Sequence, residues 1–443
     1  MPNPSLPRLS AGALVLLLAA CGDRSTLPVG ADVGLQPTIK QPVKRLIPTV
    51  DIAPAKGWPQ GGVPATAPGL AVQAFAAKLD HPRWLHVLPN GDVLVAETNA
   101  PPRPEGHKGI MGHIKGYIMG KVMARAGAAV PSANRITLLR DADGDGVAET
   151  RKVFLKGLNS PFGMALVGDQ LYVANTDGIV RFPYRTGDLE ITAPAQPVAA
   201  LPGGPLNHHW TKNILASQDG RKLYATAGSN SNVGENGMDQ ELDRAAILEV
   251  DIATGQTRLF ASGLRNPNGM AWNPQTGALW TVVNERDELG SDLVPDYLTS
   301  VQDGGFYGWP YSYFGRHVDA RVKPARPDLV ARALVPDYAL GAHVAALGLV
   351  FYTGALLPQF ANGAIVGQHG SWNRKPLAGY NVVFIPFTEG KPSGKPVEVL
   401  SGFVDDSGDA LGRPVGVAVD KAGAILVADD VGNVVWRVTP ARR

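Results

Sequence analysis

The chain has 443 residues, 44% of them hydrophobic and 18% charged, a composition that supports a large buried core and excludes intrinsic disorder. Its 41 Lys and Arg against 39 Asp and Glu give a net charge of +2 with no long basic run, which excludes the electrostatic footprint of a nucleic-acid binder. The 52 Gly and 37 Pro are scattered as turn signals, which favours many short strands.

Residues 11–20, AGALVLLLAA, form an apolar run after Arg8. It is about half the length a helix needs to cross a bilayer and reads as an export signal over 1–20. It ends in Leu18-Ala19-Ala20-Cys21-Gly22, which resembles a bacterial lipobox. Cys21 is then the lipid-bearing first mature residue of a periplasm-facing lipoprotein anchored to a membrane. The alternative is a simple secretory signal with an incidental cysteine. Because Cys21 is the only cysteine, the exported domain has no disulfides and relies on core burial or metal. Residues 21–65 are rich in Pro and Gly without a strand or helix period, and read as a tether.

From residue 66 the sequence echoes itself. Cores rich in strand formers occur at 91–98 (GDVLVAET), 169–176 (DQLYVANT), 221–228 (RKLYATAG), 277–285 (GALWTVVNE), 362–370 (NGAIVGQHG) and 423–430 (GAILVADD), about 66 residues apart on average. Most follow an apolar strand and a Gly, Asn or Asp turn, as in PRWLHVLPNGDVLVAE and RPVGVAVDKAGAILVAD, a hairpin signature. Six such hairpins predict an all-β six-bladed β-propeller over 66–440, with loop and helix insertions. The competing architecture is a β-sandwich or two unrelated β-domains.

The first core is followed by an insertion. There Ile110, Met111, Ile114, Ile118, Val122 and Met123 recur at helical spacing, with Lys108, Lys115, Lys121 and Arg125 between them. It reads as a lid helix packed on the propeller, or else as a docking surface for an electron acceptor or membrane. Next, Asp141, Asp143, Asp145 and Glu149 alternate around Gly146 as in the first nine positions of a calcium loop. Lys152 stands where such a loop ends in Glu, so the expectation is a structural calcium site outside an EF-hand, against an Asx-rich turn. Further on, the acidic stretch from Asn284 to Asp296 offers metal ligands near the axial mouth. The aromatic run DGGFYGWPYSYFG (303–315) either stacks on a ring or caps a blade.

A propeller gathers its loops around one axial mouth. Residues leading into the inner hairpins are polar or charged: His81-Pro82-Arg83, Asn159-Ser160, Asn207 to Trp210, Arg265-Asn266 and Arg413-Pro414. In a shared register they form a cationic pocket suited to a ligand with several carboxylates. His208 and His209 supply an imidazole that can act as a base near neutral pH. There is no HExxH and no usable cysteine for catalytic zinc, nor a GxSxG elbow, a P-loop or a dinucleotide fingerprint in a suitable context.

GLRNPNGMAW (263–272), NERDELGSDLVPDYL (284–298), DGGFYGWPYSYFG (303–315), GSWNR (370–374) and GRPVGVAVD (412–420) resemble the sugar dehydrogenases that depend on pyrroloquinoline quinone (PQQ). The nearest likeness is to the L-sorbosone dehydrogenase branch, related to the soluble glucose and aldose sugar dehydrogenases. The resemblance implies a six-bladed propeller with PQQ and calcium at its mouth. It implies oxidation of an aldose or aldehyde sugar to lactone or acid, with hydride passing to PQQ and electrons to a quinone or cytochrome. Through it, His209 corresponds to the catalytic base. Arg265 and Asn266 contact the quinone oxygens, with Arg265 polarising a carbonyl, and Arg413 holds a cofactor carboxylate. Trp372, Asn373 and Arg374 complete the cofactor wall, and calcium uses backbone carbonyls between Glu285 and Asp296. Where relatives support the histidine with an acidic residue this chain has Ser229, with Glu235 or Asp239 as possible replacements. A calcium-dependent lactonase and a non-catalytic carbohydrate-binding propeller are the competing functions.

Overall fold

The computed structural model describes residues 23–43, 49–102 and 120–441. Six antiparallel blades form a β-propeller. The six repeated cores are the second strands of the six blades: Val93–Glu97, Gln170–Asn175, Lys222–Ala227, Leu279–Val283, Gly363–Gln368 and Ile425–Asp429. These strands are buried on both faces, so they read as nearly continuous apolar runs. The last blade is closed by the N-terminal strand Leu70–Ala76, which pairs antiparallel with Val434–Pro440 and so locks the ring with both ends of the domain.

The innermost strands, among them Pro82–Val87, Ala346–Phe351 and Pro414–Val419, pack against one another around the axis. Their glycines set how closely. A Cβ on Gly348 would run into the Val415 carbonyl, and one on Gly416 would stand 2.7 Å from the Arg83 carbonyl. Gly163 and Gly269 meet the backbone of neighbouring blades in the same way. The glycine after each SPF, NPN or RPV triplet is thus a blade-to-blade contact.

The reading of 21–65 as a tether is corrected by the structure. Residues 23–43 and 49–66 form a strap along the propeller. Val33–Gly34 adds an edge strand to Tyr338–Ala342 of the fourth blade, and Ala65–Thr66 adds one to Val397–Ser401 of the fifth. Trp58 packs edge-on against Phe403 and Trp436, with ring centroids 5.5 Å away in both cases, and its Nε1 donates to Asp429 at 2.7 Å. The strap has no period because it is held by isolated side chains and two-residue bridges. Residues 1–22, with the signal run and Cys21, lie outside the described residues, as do Lys108, Ile110, Met111, Ile114, Lys115 and Ile118.

Of the first insertion, residues 120–125 are helical, and Gly120 and Met123 line the axial cavity, as a lid would. The aromatic run of the second insertion caps blades. Gly305–Phe306 pairs parallel with Thr257–Ser262, and Trp309 Nε1 donates to the Asn232 carbonyl at 2.9 Å. The fully buried Arg286 donates to the carbonyls of Pro310 and Ser312 and lies over the Tyr313 ring.

Candidate functional site

A cavity of about 1090 Å³ opens at the axial mouth and is lined by residues of all six blades. Two chain positions recur around it. Residues entering the inner strands supply His81, Arg83, Asn159, Ser160, His208, Trp210 and Arg413, as the sequence led one to expect. Residues just past the second strands supply Asn99, Asn230, Asn284, His369 and Asp430. Among the described lining residues Asp430 is the sole carboxylate, against Arg83, Arg413 and three histidines.

His209 stands beside this lining, its ring edge-on to that of His208. Its Nδ1 is 2.7 Å from the Ser229 carbonyl and 3.1 Å from Ser229 Oγ, which itself donates to the Ser231 carbonyl at 2.6 Å. A carbonyl oxygen only accepts, so the proton sits on Nδ1 and Nε2 is the basic nitrogen. Ser229 therefore does the orienting that sequence could not assign. Glu235 instead accepts from the amides of Asn232 and Val233, and Asp239 from Gln240. Gly228 lies between His209 and Asn266: a Cβ there would strike the Asn266 amide oxygen and stand 2.5 Å from His209 Cβ. That amide oxygen is buried without a hydrogen-bond partner.

Arg265 is only 3% exposed and is not among the lining residues. It donates to the Glu285 carbonyl at 2.6 Å, to Asn232 Oδ1 at 3.0 Å and to Asp287 at 2.9 Å. Asn373 donates to the other oxygen of Asp287 at 2.7 Å, and His343 faces it at 3.5 Å. Burial pushes the Asp287 carboxyl up, but Arg265, His343 and Asn373 outweigh this and hold it at about 2. Arg265, Asp287 and Asn373 thus form a buried hydrogen-bonded cluster outside the cavity lining. Trp372 lines the cavity directly. Arg374 does not: it pairs with Asp32 of the strap at 2.9 Å and donates to the Ala342 carbonyl.

Arg413 lines the cavity, donates to the strap carbonyl of Ala53 at 2.8 Å and lies over the Tyr380 ring, with its Nε buried and unpartnered. Asp429 fixes its backbone by accepting the Arg413 amide, together with the Gly432 amide and the indoles of Trp58 and Trp436. The neighbouring Asp430 collects a guanidinium and two imidazoles on one oxygen: Arg83 at 2.7 Å, His369 at 2.9 Å and His81 at 3.5 Å. Burial raises the Asp430 carboxyl, but His369, His81 and Arg83 drive it far below the usual carboxylate range. Sequence reasoning missed His369 and Asp430, although both sit in the repeated cores, because it weighed only the residues preceding the inner strands.

The acidic loop lies between Arg135–Arg140 and Thr150–Leu155 of the first blade, at the end away from the mouth. One ligand atom from each of Asp141, Asp143, Asp145 and Glu149 falls within 4.8 Å of the others. In contrast, most carboxylate oxygens of Glu285, Asp287, Asp292 and Asp296 have protein partners, while Glu285 Oε1 is buried without one. Glu285 accepts from Arg286, Asp292 from Ser25 and Thr26, and Asp296 from the Glu285 and Ala346 amides.

Residues 169–373 match the family described as Glucose / Sorbosone dehydrogenase, and residues 330–441 the family described as TrAA12-like. An uncharacterized protein of Borreliella burgdorferi is 27% identical over 305 residues, covering 66% of this chain and 79% of that one. Aldose sugar dehydrogenase YliI of Escherichia coli is 30% identical over 113 residues, 25% of this chain and 29% of that protein. Among solved structures, the holo form of the pyranose dehydrogenase PQQ domain from Coprinopsis cinerea superposes with a TM-score of 0.68 at 19% identity, over 88% of this chain and all of that one. Residues 169–373 are thus similar in sequence to the glucose and sorbosone dehydrogenases, and the whole propeller shares the fold of the solved structure.

Proposed function

We propose that the chain is a PQQ-dependent sugar dehydrogenase that oxidises an aldose or an aldehyde sugar of the sorbosone type to lactone or acid, and passes electrons to a quinone or cytochrome. The observation that carries this reading is His209: its tautomer is set by the Ser229 carbonyl, it adjoins Asn266 across Gly228, and it borders a mouth with one carboxylate among five cationic or imidazole side chains. The residues present suit a polycarboxylate cofactor. Arg83 and Arg413 supply positive charge, and Arg413 Nε is a buried donor without a partner.

PQQ, when bound, accepts the hydride. Arg413 and Trp372 would hold it, with Asn266 beside it. His209 Nε2 takes the proton of the reacting hydroxyl, and the Nδ1 to Ser229 bond stabilises the imidazolium that results. Arg265, committed to Asp287 and the Glu285 carbonyl, fixes the loop after the fourth blade's second strand rather than presenting a free charge. Arg374 contributes by pinning the strap.

The all-oxygen donor set of Asp141, Asp143, Asp145 and Glu149 suits a structural calcium ion, a hard cation that prefers such ligands. Calcium at the mouth would use backbone carbonyls of the Glu285 to Asp296 loop together with Glu285 Oε1, which is buried without a partner. Export and lipidation at Cys21 complete the reading, and the apolar run before Cys21 supports them.

The test is a spectral titration of apo-protein with PQQ and calcium, followed by dye reduction with aldoses and sorbosone. Sugar-dependent reduction that requires PQQ is expected, and His209→Gln should lower turnover by roughly 10²-fold or more while leaving PQQ affinity near wild type. The absence of both a spectral change and activity would overturn the dehydrogenase reading.

A further inference from the structure

We propose that His369, seated on Asp430, is a second base of the axial cavity, which adds water to an aldehyde substrate before its oxidation. His369 follows the second strand of the fifth blade, Gly363–Gln368, and lines the cavity with its side chain 18% exposed. Its Nε2 lies 2.9 Å from Asp430 Oδ2. An ionised carboxylate only accepts, so Nε2 carries the proton, and Nδ1, for which no hydrogen bond is seen among the described residues, is the basic nitrogen. The geometry is that of a histidine oriented by a carboxylate, with Arg83 and His81 fixing that carboxylate through the same oxygen.

The groups facing His369 are Asp430, Arg83, His81 and Arg413. Burial is the main influence on its imidazole, and with the two arginines it outweighs Asp430 and lowers the imidazole to about 4. The ring is therefore neutral at pH 7, with Nδ1 unprotonated and able to accept a proton, although more weakly than an ordinary imidazole.

Why the cavity holds two bases follows from the chemistry of the proposed substrates, and this step rests on the dehydrogenase reading. A cyclic aldose already carries the hydroxyl whose proton His209 accepts. A free aldehyde has none at its reacting carbon and must first become a geminal diol. In that addition a water oxygen bonds to the carbonyl carbon while the C=O π bond breaks. His369 Nδ1 takes the proton of the water, and the same proton is returned to the former carbonyl oxygen. Nothing is oxidised or reduced. Arg83 and Arg413 supply positive charge on the same wall for the oxyanion that forms in passing. The diol then presents a C–H and an O–H to the oxidation that yields the acid.

The hydration step needs no PQQ, so it is tested on apo-protein. Exchange between the aldehyde and hydrate forms of glyceraldehyde is followed by proton magnetisation-transfer NMR at increasing protein concentration. The expected result is an exchange rate that rises linearly with wild-type protein and loses about 10²-fold of its protein-dependent part in His369→Gln. Asp430→Asn should reduce it in the same direction. The wild-type pH profile serves independently of any variant's folding: activity should persist below pH 5 and fall near pH 4. An exchange rate equal to buffer with folded wild-type protein, a fall near pH 6.5, or retention in folded His369→Gln would each overturn the proposal. PQQ titration separately decides the dehydrogenase reading, so the two can fail independently.

Discussion

Replacing Trp58 with Ala tests whether the N-terminal strap is part of the folded propeller. The indole makes two edge-on aromatic contacts, with Phe403 and Trp436, each worth about 1 kcal/mol, and one hydrogen bond to the buried carboxylate of Asp429, worth roughly 1.5 kcal/mol or more. Asp429 keeps three other donors after the change, from Trp436, Gly432 and Arg413, so no wholly unsatisfied charge is left behind. The expected loss is about 3 kcal/mol, the lower end of the range for truncating a packed tryptophan. Trp58→Phe keeps most of the ring and loses only the N–H, for about 1–2 kcal/mol. Thermal unfolding of the two variants against wild type should show midpoints lowered by roughly 3–4 °C and 1–2 °C. The same strap donates the Ala53 carbonyl that holds Arg413, so the Ala variant should also bind PQQ more weakly. A Trp58→Ala midpoint within 1 °C of wild type would refute the reasoning, because a tether lying loosely on the surface loses nothing when its tryptophan goes.

Arg413→Ala should weaken PQQ binding by about tenfold or more in a spectral titration while leaving the blades folded, and unchanged affinity would remove Arg413 from the cofactor site. Asp287 gives a pH prediction with a definite sign. Its folded value of about 2 lies below the ordinary 3.8, so the pairing with Arg265 stabilises the fold above pH 4 and is lost as pH falls towards 2. The shift is worth roughly 2 kcal/mol, so the gap in urea midpoint between wild type and Asp287→Asn should be widest at pH 7 and narrow steadily from pH 4 to pH 3. A gap independent of pH would exclude the ion pair as its cause.

The propeller was legible because its architecture is written locally. Each blade needs a second strand buried on both faces and a tight glycine at the inner strand, and LYVAN, LYATA, ILVAD and their kin record that need six times. The mouth was half legible. Residues entering inner strands sit beside turn signals such as Arg-Pro and Asn-Pro, so Arg83, His208 and Arg413 stood out. His369 and Asp430 ended apolar strands and passed for the close of a core. Their pairing crosses 61 residues of chain, and no local pattern encodes it. Ser229 was invisible for another reason: it acts mainly through its backbone carbonyl, which every residue possesses. The strap was misread because a segment held by Trp58, Asp32 and Ser25, each bonded to a residue more than 250 positions away, shows neither strand alternation nor helical spacing.

The strap also changes what a lipid on Cys21 would do. Asp23 is already on the propeller: its amide donates to Thr49 Oγ1, and its side chain and carbonyl accept from Ser291 at 2.9 and 3.0 Å. Ser291 belongs to the loop that follows the second strand of the fourth blade, and second strands run towards the mouth. A free tether of some 45 residues would let the domain tumble tens of ångströms from the bilayer in any orientation. If Cys21 carries a lipid, only Gly22 separates it from the docked Asp23, and the rim of the mouth would then be held at the membrane surface, within reach of a membrane quinone. Inserting a flexible 20-residue Gly/Ser linker between Gly22 and Asp23 should therefore slow electron transfer to membrane quinone severalfold in proteoliposomes and leave reduction of a soluble dye unchanged. Equal quinone rates with and without the linker would show that the mouth does not depend on the strap for its approach to the bilayer, and would point to a soluble acceptor such as a cytochrome.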